Sequence, residues 1–176
     1  SEKINTVSLS FIAEITAAPP LQHDGTYVLD REAVNQLTNL VEALKNNPEI
    51  KCVGDLGVKS SCVYKDLFFV LVAPGVGTDE LHGTVFFPEY ESFVEEQLKN
   101  DDHIWQICSW SYNMNALQIG EKLDKTGWGA YETCKNHGAI IATAHEHSYH
   151  RTKTLIDIEN QIVDPEWYYP AKLKVS

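Results

Sequence analysis

Residues 7–15 (VSLSFIAEI) alternate apolar with small or polar side chains, the period-two pattern of a strand, and a breaking stretch, AAPPLQHDG, follows. From Asp30, a candidate N-cap, Ala33, Leu37, Leu40, Val41 and Leu44 fall at helical spacing up to Lys45, where NNPE closes the helix. Short strands at residues 51–53 and 62–64 around the GDLG turn predict a hairpin. Residues 67–72 (LFFVLV) form a continuous apolar run, expected as a buried strand that leads into the Gly-rich loop APGVGTDELHG. Residues 88–99 (PEYESFVEEQLK) open with proline and acids and set Tyr90, Phe93, Val94 and Leu98 on one face, so they predict an amphipathic helix.

A strand is expected over residues 104–110 (IWQICSW) and an irregular loop over 111–124. Residues 126–137 (TGWGAYETCKNH) read as a helix with Trp128, Tyr131 and Cys134 inward and Gly138 at its C-terminal end. The apolar, β-branched run Ala139, Ile140, Ile141, Ala142 is then expected as a buried strand. The tail holds one or two short strands before PEWYYPAK, whose Trp167, Tyr168 and Tyr169 either anchor a partner or close the bottom of the core.

The alternation of strands and helices predicts an α/β protein with a mixed sheet and flanking helices, and 176 residues are enough for a single domain, 1–176. A composition of 43% hydrophobic and 22% charged residues argues against disorder. The net charge of -11 works against a nucleic-acid partner, since a phosphate backbone calls for a basic face. No apolar run approaches the roughly 20 residues of a transmembrane helix, and the opening SEKINTVSLS does not read as a signal peptide. Cys52 and Cys62 flank a turn. Either they staple it, which implies a secreted or organelle-lumen setting, or all four cysteines are buried thiols; Cys108 and Cys134 are expected as core residues.

Chemistry concentrates just past the run at 139–142, where His145, Glu146, His147 and His150 fall within six residues. In α/β sheets ligands bind outside the carboxyl ends of strands, and neutral imidazoles are common transition-metal ligands. His23 and Asp24 in the first loop, and Asp79, Glu80 and His82 in the Gly-rich loop, are further candidates, with turn chemistry the simpler account of the first pair. PGVGT lacks the lysine of a phosphate-binding loop.

GAIIATAHEHSYHRTK resembles the last signature block of the calcineurin-like metallophosphoesterases, the superfamily that includes purple acid phosphatases, in which GHxH or AHxH follows a central strand. GDLGVKSSCVYKDLFFVL, IWQICSW and KTGWGAYETCKNHGAII extend the resemblance over residues 52–154. It implies a four-layer αββα sandwich, here truncated or incomplete, and a site for iron, zinc or manganese that clamps the attacking and leaving oxygens of a phosphoester. By resemblance His145 binds one metal and His147 the other.

The chain departs from that pattern at the early positions. IAEITA offers Glu14 and then Thr16 where the family has Asp-x-His, and GDLGV offers Asp55 without a second acid. PGVGTDE has no Asn-His, and CSWSYN places Ser111 where a histidine belongs. A metal pair takes about six to eight protein donors, far more than these. The expectation is therefore a catalytically incomplete relative that serves as a binding or structural subunit and needs a protein partner over an exposed sheet or apolar face. Its alternative is a phosphomonoesterase with a reduced site. In that case one ion sits on His145, His147 and Asp55, and Glu146 or His150 acts as general acid or base.

Overall fold

The computed structural model describes residues 31–56, 59–74, 87–120, 123–124, 126–145 and 149–167. The strand expected at 7–15, and Glu14, His23, Asp24, Asp79, Glu80, His82, Glu146, His147, Tyr168 and Tyr169, lie outside them.

Among the described residues, three α-helices and a five-stranded mixed sheet form an α/β body, in the order α1 (Arg31–Lys45), β1 (Ile50–Asp55), β2 (Lys59–Tyr64), β3 (Leu67–Val72), α2 (Phe87–Lys99), β4 (Trp105–Trp110), α3 (Trp128–Asn136) and β5 (Ile140–Thr143). The strands lie side by side in chain order. β1, β2 and β3 make an antiparallel meander; β3, β4 and β5 run parallel, because the helices α2 and α3 return the chain to its starting end each time. β6 (Leu155–Asp157) and β7 (Ile162–Val163) form a separate two-stranded ribbon.

Side chains alternate between the two faces of the sheet, and each face has its own core. Phe68, Val70, Val72, Cys108 and Trp110 point to one face, where they meet Val94 and Leu98 of α2 and Ala130, Tyr131 and Cys134 of α3. Leu71, Cys62 and Ile50 point to the other and meet Leu44 of α1, with Leu40, Phe69 and Tyr64 packed around them. Helical periodicity in the sequence thus translates into two helix layers on opposite faces.

The hairpin β1–β2 depends on Gly54. Its φ is 86°, and a Cβ there would stand 2.5 Å from the Lys59 carbonyl oxygen, so both the conformation and the close approach require glycine. Cys52 and Cys62 are directly opposed in this hairpin and joined by a disulfide.

Three expectations are corrected. Cys108 and Cys134 are not free core thiols; they form a second disulfide, because α3 lies directly over β4 and brings their Cα atoms to 6.4 Å. The run at 139–142 is a strand but not a buried one. β5 is an edge of the sheet among the described residues, with Ile141 packed on the core beneath α3 while Ile140 is 40% exposed and Ala142 and Thr143 are exposed. The loop at 111–124 is partly regular, with a 3-10 turn at Asn115–Leu117 whose first residue, Asn115, donates its N–H to the Asp124 carboxylate.

Candidate functional site

β4 and β5 end together, and the residues just beyond them form the place where the sequence puts its chemistry. Trp110 closes β4 at 1% exposure, with its ring edge-on to Tyr131 at 5.0 Å. Ser111 follows, also buried, and its carbonyl accepts the Ala144 N–H at 3.2 Å, so the two strand ends are tied by backbone. Asn113 repeats the tie with its side chain. Its Nδ2 donates to the Ala144 carbonyl at 3.0 Å, and its Oδ1 accepts the Tyr131 hydroxyl at 3.1 Å.

The Tyr131 oxygen in turn accepts the Met114 N–H at 3.1 Å. Burial pushes the Tyr131 phenol up to about 12, against the opposing pull of the Met114 hydrogen bond. It therefore stays protonated at neutral pH and serves as a fixed donor. Thr126 completes the loop by donating to the Tyr112 carbonyl at 2.6 Å. The buried polar atoms of Asn113, Tyr131 and Thr126 are thus spent on holding the loop, which is what a low-dielectric interior demands of them.

His145 stands at the rim. It follows β5 directly, has φ 79°, and rests edge-on against the Tyr112 ring at 4.5 Å. A left-handed backbone on a residue with a Cβ costs roughly 1–2 kcal/mol, which the ties at Ala144 and the ring contact offset. His150 lies farther along and is exposed.

Asp55 ends β1 at the same end of the sheet but on the opposite edge. Four inter-strand steps separate β1 from β5, about 19 Å at the usual spacing. Metal donors must lie about 2 Å from their ion, so Asp55 and His145 do not share one. Nor does Ser111 offer a donor, since its side chain is enclosed. The described residues therefore do not fit the metal pair that the resemblance implies.

One cluster is absent from the expectations drawn from the sequence. Asp101, Asp102 and His103 bring their ligand atoms within 4.8 Å of one another at the start of β4, the end of the sheet remote from His145. Its hydrogen bonds give it a structural purpose. His103 Nδ1 pairs with Asp101 Oδ1 at 2.5 Å while its ring stacks on Phe68, and Gln106 donates to Asp101 Oδ2 at 2.9 Å and to the Leu98 carbonyl at 3.1 Å, which joins the end of α2 to β4. The signal lies in plain view as NDDH, two acids beside a histidine between a helix and a strand.

The Asp101 hydrogen bond holds the His103 imidazole above its ordinary value of 6.5. A folded-state value above the unfolded one means stability that is fully present below about pH 6.5 and is lost as pH rises through the raised value. Proton NMR should therefore give a His103 midpoint above 6.5 in the native protein, falling back in Asp101→Asn. A native midpoint at or below that of an unstructured peptide would contradict the pairing.

A shallow groove of about 390 Å³ lies between Arg151, Thr152, Lys153 and Trp167, with the Lys153 ammonium 5.4 Å from the Trp167 ring centre. Comparison of the chain with protein-family models, with curated proteins and with solved structures returns no match.

Proposed function

We propose that this protein is a catalytically incomplete relative of the calcineurin-like metallophosphoesterases that acts as a binding or structural subunit. The observation that carries this reading is the end of β4. Where the resemblance calls for a metal-binding histidine, Ser111 is enclosed and works through its backbone, and the neighbouring Asn113 and Tyr131 are committed to the loop. The distance between Asp55 and His145 supports it further, because a reduced site would need both.

A subunit role calls for a surface that a partner protein covers. The ribbon β6–β7 supplies apolar side chains in water: Ile156, Ile162 and Val163 are exposed, and Tyr149 ahead of them is 88% exposed. Such side chains gathered on one small element mark interaction surfaces more often than scattered ones do. Two disulfides are compatible with an oxidising compartment, and no helix among the described residues is long and apolar enough to cross a membrane. The disulfides support the proposal of a secreted or lumenal assembly.

Turnover tests the reading. With zinc, iron or manganese added, hydrolysis of a generic phosphomonoester by the full chain should equal that of the His147→Ala variant and of buffer. Metal-dependent turnover that His147→Ala abolishes would overturn it in favour of a working hydrolase with a reduced site.

A further inference from the structure

We propose that the trough between the β1–β2 hairpin and the end of α2 binds a small monocarboxylate with an apolar body, its carboxylate on Lys51 and its body on Val53, Val63 and Phe68. The trough arises from the way helices cover a sheet. Strands lie about 4.8 Å apart and a helix with its side chains is about 10 Å across, so one helix covers roughly two strands. α3 takes β4 and β5, where Cys134 is bonded to Cys108 and Ile141 packs, while α2 takes β3 and reaches β2 through the Ser61 hydroxyl, which donates to Gln97 Oε1 at 2.6 Å. On that face β1 is left over: Lys51 is exposed and Val53 is 62% exposed.

The space measures about 260 Å³, a little below the roughly 300–1,000 Å³ of sites for drug-sized ligands, which limits the occupant to a small molecule. Its floor follows from the strand register. Lys51 stands opposite Val63 and Val63 opposite Phe68, so one row across three strands sets an ammonium beside two apolar side chains, and Val53 extends the apolar part along β1. Val63 and Phe68 already pack on the core beneath them, whereas Val53 is apolar surface in water that an occupant would cover.

Charge decides the class of ligand. Among the described residues, the charged side chains that line the trough are Lys51 and Asp101. Asp101 is already spent, with His103 Nδ1 2.5 Å from one of its oxygens and Gln106 donating to the other at 2.9 Å. Lys51 has no partner among the described residues, nor do the side-chain amide of Asn100 and the Nε2 of Gln97, so the donors left over surround one cation. A carboxylate accepts from all three, and a ligand that carries an ammonium meets Lys51 as a like charge. Lys51 and Asp101 mark the end of the sheet remote from His145, so the proposal does not depend on how that histidine is read.

An NMR titration of the full chain tests this, with hexanoate and benzoate as probes and hexylamine as the control of opposite charge. The backbone amides of Lys51, Val53, Ser61 and Asn100 should shift saturably with at least one of the two acids, with a midpoint of about 1 mM or tighter for ligands of this size. Whichever acid binds shows whether the apolar body is a chain or a ring. Lys51→Met keeps an unbranched stem without the charge and should weaken binding about tenfold, while Lys51→Arg should retain it. Val53→Ser removes apolar floor and should weaken it about threefold. Both positions are exposed, and unchanged spectra elsewhere establish that each variant folds. Saturation by hexylamine in preference to both acids, acid binding unchanged in Lys51→Met, or no saturable shift at these amides with either acid would overturn the proposal.

Discussion

Replacing Cys108 and Cys134 together by alanine should lower the unfolding free energy by about 3.5 kcal/mol, the chain-entropy value for a cross-link closing a loop of this length, their separation being 26 residues. The bridge joins β4 to α3, so without it the unfolded chain gains freedom over the whole segment that carries the loop at 111–124. Both cysteines are also part of the core beside Val70, Trp110 and Tyr131, and alanine leaves small gaps there. The Cys52 to Cys62 bridge closes only 10 residues inside a hairpin whose register is already set, and the same reasoning gives it about 2.7 kcal/mol. Urea denaturation of the two double-alanine variants checks the order. The β4–α3 variant should have the lower midpoint and a steeper dependence on urea, because its unfolded state is more expanded. Equal midpoints for that variant and the parent would contradict the placement of α3 over β4.

Trp110→Ala should cost about 3–5 kcal/mol, a large part of the roughly 5–15 kcal/mol that holds a typical domain together. The indole is among the largest fully buried side chains, and its edge-on contact with Tyr131 adds to the area it removes from water. Its loss reaches the strand ends directly. Tyr131 positions Asn113 and Met114, and Asn113 in turn holds Ala144, the residue before His145. Thermal unfolding would show a marginal or unfolded variant, and Trp110→Phe, which keeps an aromatic ring on Tyr131, should retain more than half of the lost stability. A Trp110→Ala variant as stable as the parent would mean that the two-sided core has been misassigned.

Among the described residues, the sequence pattern locates every α-helix and the β1–β2 hairpin, and it places β3 on the residues it occupies, because each of these is written locally in caps, periodicity and turn residues. β5 is found but misjudged. A short apolar run looks the same whether strands flank it on one side or two, and only the strand order shows that β5 is at an edge. The Cys108 to Cys134 bridge is missed for a similar reason, since a 26-residue spacing says nothing until a helix is seen lying over a strand.

The candidate site is legible only in part. His145 does follow a strand end, as its sequence context leads one to expect, and the serine at position 111, where the proposed resemblance calls for a histidine, is plain in the sequence itself. That Asp55 stands four strands away from His145 is not, because only the antiparallel pairing through β2 places β1 at the far edge. The network of Asn113, Tyr131 and Met114 joins positions up to 18 residues apart whose types carry no shared motif. Such polar networks are fixed by packing and leave no periodic trace along the chain.

Metal analysis of the purified full chain, loaded with zinc, iron or manganese and then freed of loose ions, tests the central claim most directly. The account predicts well below one tightly held ion per chain, unchanged by His145→Ala or His147→Ala. Two ions per chain, both lost when either histidine is replaced, would contradict it.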